Sequence, residues 1–277
     1  MTVVLGLLAA LLYGIGDFAG GITSRRHGAI TVLLYSYPVG AVLMTAMLPF
    51  FPGHVDARSA GFGIAGGVMG LVGVIVMYSL MTVAPINIIS PITAVLAAIV
   101  PIFVGVTIGE RPHFTAWFGI VLGLAAVVLV SRTNESHPHG RIGARIVALA
   151  FVSGLGFGLY FVFLARAGDN SGLWPLVISR FASAALILPL AKARGAFKPV
   201  RGRMLAIVIL AGACDALANM FFLLASREGL LSLASVLTSL YPTTTVILAV
   251  GLLHEHTSRT QRIGLALAAG AIVLITV

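Results

Sequence analysis

The chain has 277 residues, 59% of them hydrophobic and 9% charged, with 17 Lys and Arg against 8 Asp and Glu and a net charge of +9. A soluble domain carries about 25% charged residues, so the composition excludes one, and the long unbroken apolar runs exclude the alternating pattern of a β-barrel. What remains is an all-α polytopic membrane protein, and the positive charge does not make it a nucleic-acid binder, because its Lys and Arg sit in short loops between apolar runs, beside lipid headgroups.

About ten transmembrane helices are predicted, at roughly 3–23, 29–50, 60–82, 86–108, 113–131, 146–166, 173–191, 204–226, 230–252 and 263–277. The first reads VVLGLLAALLYGIGDFAGGI, with no basic segment before Val3 and no clear cleavage site after it, so no signal peptide is expected. It carries Asp17 inside an apolar stretch, where a carboxylate costs about 3 kcal/mol on insertion scales and must face a bundle interior or an aqueous cavity. Tyr13 lies one turn earlier on the same face, and Gly16 and Gly20 allow close approach of another helix. Asp17 with Tyr13 is therefore expected to bind substrate or a coupling proton, or else to pack helices through a neighbouring hydroxyl.

Further along, Tyr78 and the deeper Tyr160 can bond to a solute or anchor at an interface. In the fourth span Ser90 and Thr93 offer hydroxyls, and they recur in the ninth as Ser235 and Thr238. These four are candidates for substrate binding, although hydroxyls at helix contacts in lipid commonly have a structural role. Pro91, Pro101 and Pro242 interrupt the same two spans and predict kinks or hinges. Residues 131–145, with SRTNESHPHGR, read as a polar hinge. Arg180 in the seventh span and Asp215 in the eighth are expected to pair across a helical hairpin, with Asn219 one turn from Asp215. That pair is structural, or Arg180 recognises a substrate carboxylate. Cys214 is alone, so no internal disulfide forms. His137, His139, His254 and His256 lie at or beyond helix ends, no metal site converges, and no cofactor or nucleotide motif is present.

Loop charge gives an orientation. Arg25, Arg26, Arg132, Arg141, Arg145, Lys192, Arg194, Lys198, Arg201, Arg203, Arg259 and Arg262 fall on one side, and Arg58, Arg111, Arg166 and Arg227 on the other. The first side is assigned to the cytoplasm, which places both termini outside and the protein in the plasma (inner) membrane.

Residues 84–130 align without gaps on 229–275, matching Ser90 to Ser235, Thr93 to Thr238, Glu110 to Glu255 and Gly119 to Gly264, while Gly14 and Gly16 align on Gly154 and Gly156. The chain thus divides into 1–131 and 146–277, joined by 132–145. Five spans per half is an odd number, so the second half enters the membrane from the opposite side, as two inverted five-helix repeats. Glu110 and Glu255 are expected at helix ends, bonding to the amides that open the following helix or acting as gates.

The segments IVPIFVGVTIGERPHFTAWFGIVLGLAAVVLV and LYPTTTVILAVGLLHEHTSRTQRIGLALAAGAIVLI carry a resemblance: an apolar helix, a Glu, a short polar link and a Gly-spaced apolar helix in each half. The chain resembles the drug/metabolite transporter superfamily, in its ten-span EamA-type members. The first half matches with Gly109-Glu110-Arg111, and the second departs with His254 before Glu255. The resemblance implies export or exchange of small organic solutes, a cavity lined mainly by the first, third, fourth, sixth, eighth and ninth spans, and a peripheral fifth and tenth. The expected function is a secondary transporter working by alternating access around a midplane cavity. Its partners are a small-molecule substrate, protons at Asp17 or Asp215, and the bilayer, with the protein as monomer or homodimer. One alternative is an intramembrane aspartyl protease, since Gly14-Ile15-Gly16-Asp17 spells a G-x-G-D motif and Asp215 supplies a second carboxylate. Against it, the repeat places Phe157 opposite Asp17. A passive channel or a non-transporting receptor is the remaining alternative.

Overall fold

Runs of about twenty apolar residues can satisfy their backbone in lipid only as helices, and helices are what they form. The computed structural model describes residues 1–84, 86–130, 143–253 and 258–276. Its helices are α1 (Thr2–His27), α2 (Ala29–Met47), α3 (Ala57–Met81), α4 (Ile86–Thr107), α5 (Phe114–Val130) and α6 (Ala144–Arg166), followed by α7 (Trp174–Ala193), α8 (Gly202–Glu228), α9 (Leu231–Thr238), α10 (Tyr241–Leu253) and α11 (Arg259–Thr276). No strand occurs among the described residues. Seven of these helices are long and apolar enough to cross a bilayer by themselves. The others, α4, α5 and the α9–α10 pair, make up the remaining three of ten spans.

Local chemistry sets the ends. Gly28 separates α1 from α2 at φ 83°, a conformation that favours glycine. Asp56 opens α3 through a capping box: it accepts from the Ser59 amide at 2.7 Å, and its own amide donates to the Ser59 hydroxyl at 3.0 Å. The ninth span is broken by a turn at Ser239–Leu240, just before Pro242. The proline, expected inside one helix, stands instead at the second position of the next, where its missing N–H costs nothing. Pro101 and Pro91 lie within an α4 assigned as one continuous helix. Prolines also sit inside α2 (Pro38) and α7 (Pro189).

The packing has the two-fold character of an inverted repeat. Helix α1 packs on α8 as α6 packs on α3, α4 packs on α6 as α9 and α10 pack on α1, and α2 meets α7. Helices α5 and α11 pack on each other at one side, as the resemblance implied. Close approach depends on small residues. A Cβ at Gly14 would lie 2.8 Å from the Tyr241 carbonyl of α10, and one at Gly154 would lie 2.9 Å from the Thr93 carbonyl of α4. These two glycines are the pair that align between the halves. Phe103, Phe118, Phe181 and Val273 point outward, as lipid-facing residues do. Phe161 and Phe222 stack at 4.1 Å in the core.

The two ends of the bundle are each tied across the halves. At the basic end the Thr31 hydroxyl donates to the Ala196 carbonyl at 2.9 Å, and the Tyr35 hydroxyl to that of Lys198 at 3.3 Å. At the other end the His54 amide donates to the Asn170 carbonyl at 3.0 Å, and Arg58 Nε to the Arg166 carbonyl at 2.9 Å.

Candidate functional site

Four polar residues of α1, α7 and α8 meet at mid-helix. Arg180 Nη2 lies 2.6 Å from Asp215 Oδ2. The pair forms as expected, since two unpaired charges in the membrane interior would cost far more than one pair, but not across a packed hairpin: α2 packs on both α7 and α8, and the long Arg180 side chain reaches across. Asn219 follows Asp215 by one turn; its Nδ2 donates to the Asp215 carbonyl at 2.7 Å and to Asp215 Oδ1 at 3.3 Å. Tyr13 donates its hydroxyl to Asn219 Oδ1 at 2.5 Å, linking the first half to the second. The Arg180 guanidinium stands over the ring of Tyr37, 5.2 Å from its centroid.

The cluster borders a cavity of about 20 Å³, room for about one water-sized group. Tyr13, Tyr37, Tyr160, Phe157, Arg180 and Asp215 are among its walls, with Ser179, Ser183 and Asn219. The lining therefore comes from α1, α2, α3, α6, α7 and α8. The resemblance implied a lining mainly from the first, third, fourth, sixth, eighth and ninth spans; around this cavity the second and seventh stand in place of the fourth and ninth. Arg180 and Tyr37 have side chains long enough to reach the centre from α7 and α2. Gly40 leaves space for the Arg180 stem, since a Cβ there would lie 3.4 Å from Arg180 Nε.

Asp17 is half-buried, one turn from Tyr13, and is not among the cavity walls. It has no hydrogen-bond or ion-pair partner among the described residues. Tyr160, by contrast, is one of the cavity walls.

The four hydroxyl candidates do not join the cluster. Thr93 donates to the Ser90 carbonyl at 2.8 Å and contacts the Tyr241 hydroxyl at 2.9 Å, while Tyr241 donates to the Ser90 carbonyl at 3.1 Å. Ser235 donates to its own helix at the Leu231 carbonyl. The Ser90 and Thr238 hydroxyls are buried without a partner among the described residues. Thr93 thus ties α4 to α10.

Glu110 caps a helix, though not the one expected. Its Oε1 accepts from the Leu231 amide at 2.5 Å and its Oε2 from the Ser232 amide at 3.0 Å, at the start of α9 in the opposite half, not of α5. The amide dipoles at a helix N-terminus draw a carboxylate, and inversion brings α9 beside the end of α4. Glu255, His137, His139, His254 and His256 lie outside the described residues. Glu110 also borders a second, polar cavity of about 570 Å³ at the end opposite the basic loops, with His54, Asp56, Arg58, Arg166 and Asp169. Here Asp56 is held below its ordinary carboxyl range, first by its hydrogen bond with the Ser59 side chain and then by the Ser59 amide. No group of three or more metal-ligating side chains converges among the described residues.

Tyr37, Ser179 and Ser183 were not anticipated. The available signal for Tyr37 was its depth, mid-way along α2 and far from either interface. The charges are also asymmetric. Gly16 abuts Ala211 and Asp215 in α8, and its counterpart Gly156 abuts Met69 and Gly73 in α3. Gly73 therefore stands where the other half has Asp215, as Phe157 stands for Asp17. Helix α2 carries no Lys or Arg.

Comparison with known proteins agrees with this architecture. An uncharacterised protein of Methanocaldococcus jannaschii, MJ1333.1, is 23% identical over 135 residues, which cover 98% of that protein and 48% of this chain. A relative of that size has the length of one repeat. A solved crystal structure superposes with a TM-score of 0.77 over 99% of this chain and 96% of its own, at 20% identity, a likeness of fold. The EamA-like transporter family matches residues 1–132 and again 144–277. With two inverted five-span units, a polar cluster buried between them and a family match over both, the chain belongs to the EamA-like transporter family, whose members are membrane transporters of small molecules.

Proposed function

We propose that the protein is a secondary carrier that exports or exchanges a small organic metabolite by alternating access. The observation that carries this reading is the Arg180–Asp215–Asn219–Tyr13 cluster, buried at mid-membrane and contributed by both halves. Polar groups in that position are costly and mark substrate or ion pathways. The halves 1–131 and 146–277 are the moving units and 132–145 links them. Rocking breaks the cross-half ties at one end while the other end keeps its own. The basic end faces the cytoplasm, and the termini face outward. Asp17, inside a span and without an ion-pair partner among the described residues, is the proton site.

Asp215 is committed to Arg180, and no hydrogen bond joins it to Asp17 among the described residues. Nothing in that arrangement favours a carboxylate dyad of the protease kind.

The test is flux of a pooled metabolite set into proteoliposomes, with and without a pH gradient, for the native protein and Asp17→Asn. Saturable flux that follows the gradient and is lost in the variant supports a proton-coupled carrier using Asp17. Saturable flux indifferent to both keeps the carrier and removes Asp17 from the mechanism. A folded protein that moves no solute defeats the reading.

A further inference from the structure

The Arg180 guanidinium is the most deeply placed charge in the cavity. Its side chain is 6% exposed against 33% for that of Asp215, so the carboxylate lies on the open side and the guanidinium behind it. A guanidinium carries five N–H donors and pairs best with a carboxylate through two parallel bonds. Here the ion pair is a single contact from Nη2 to one oxygen, and the buried Nε has no hydrogen-bond partner among the described residues. The other Asp215 oxygen is drawn towards Asn219. Buried donors of this kind are ordinarily satisfied, so Arg180 is held in place and under-used. Around it stand the rings of Tyr37, Tyr160 and Phe157.

Resting on the reading of this cavity as a carrier's substrate site, we propose that Arg180 binds a carboxylate of the transported solute, and that Asp215 is the counter-ion this carboxylate displaces. Asp215 already docks the same chemical group against the same guanidinium. It is the exposed partner, so a solute entering meets it first. The cavity now holds about one water-sized group, so the solute's apolar body enters against the aromatic walls only as the halves rock apart. The displaced Asp215 carboxylate stays beside the guanidinium and disfavours any second negative charge, so the ligand class is an amphipathic monocarboxylate and not a phosphate or dicarboxylate.

The experiment uses the full chain in nanodiscs, with benzoate as probe and benzamide and benzylamine as isosteres without the negative charge. Binding is read by calorimetry and by thermal midpoint at matched ionic strength. Benzoate is expected to bind and the other two not. Asp215→Asn, which removes the competitor and keeps the shape, is expected to bind benzoate at least tenfold more tightly, and Arg180→Gln to lose it. Unchanged or weaker benzoate binding in folded Asp215→Asn overturns the proposal, as does a preference for benzylamine. If Asp215→Asn is unstable on its own, a rise in its midpoint with benzoate and not with benzamide supports the displacement, and equal effects of the two overturn it. Benzoate binding without counterflow in proteoliposomes defeats the carrier and leaves the carboxylate site standing. Saturable flux of other solutes without carboxylate discrimination does the reverse.

Discussion

Tyr13 makes a buried hydrogen bond to Asn219 across the two halves, at 2.5 Å. Tyr13→Phe keeps the ring and removes the donor. Hydrogen bonds between helices in lipid are worth about 0.5–2 kcal/mol, so a small loss of thermal stability is expected. A larger relative loss of flux is expected, because Asn219 also bonds the Asp215 carboxylate. Equal, small losses in both would confine Tyr13 to packing. Asp56 gives a pH prediction. Its folded-state pKa lies below the ordinary 3.8, so its cap stabilises α3 above that range and the contribution fades as pH falls through the carboxyl range. Asp56→Asn keeps a capping oxygen without the titration. The midpoint difference between the native protein and Asp56→Asn should therefore shrink on acidification from pH about 6 to about 3; a constant difference would show that the charge does not matter. At this scale Asp17, Arg180 and Asp215 stood out in the sequence because charge is rare in lipid. Tyr37 did not, because an aromatic residue in an apolar run has no such contrast.

Glu110 and the N-terminus of α9 form a tie between halves. Glu110→Ala removes both acceptors and should cost about 0.5–2 kcal/mol by analogy with loss of an N-cap. Because the tie closes the end opposite the basic loops, the same variant should also raise labelling of a cysteine introduced at Ser232, in a Cys214→Ser background. Lost stability without greater labelling would make the contact a cap and nothing more. Gly154 is the second element-level test. A Cβ there would lie 2.6 Å from that of Leu96, so Gly154→Leu should push α4 off α6, at about 1–3 kcal/mol. An unperturbed midpoint would contradict the packing. Helix existence and the recurrence of Glu110 as Glu255 were legible, since hydropathy and spacing are linear properties. Which helix Glu110 caps was not, because that partner lies 121 residues away.

For the whole molecule, the proposed orientation rests on loop charge and is open to a direct test. In a Cys214→Ser background, a single cysteine replacing Lys198 should react with an impermeant thiol reagent only from the cytoplasmic side, and one replacing Arg166 only from outside. The opposite pattern would invert the assigned topology without disturbing the fold. The two ties that close the ends, Thr31–Ala196 and His54–Asn170, lie on opposite ends of the bundle, which is what a carrier opening alternately at each end requires.

The sequence by itself determined the class of the protein, the number of its spans, the inversion of its halves and the identity of its buried charges. Each of these depends on how apolar runs and rare charges are distributed along the chain, because the bilayer reads every span independently. Only the tertiary structure decided which spans line the cavity, which helix Glu110 caps, and that Arg180 is bound by one oxygen of Asp215 with donors left over. These depend on how closely glycine-lined helices approach and on how far individual side chains reach, and neither quantity is a property of a single segment.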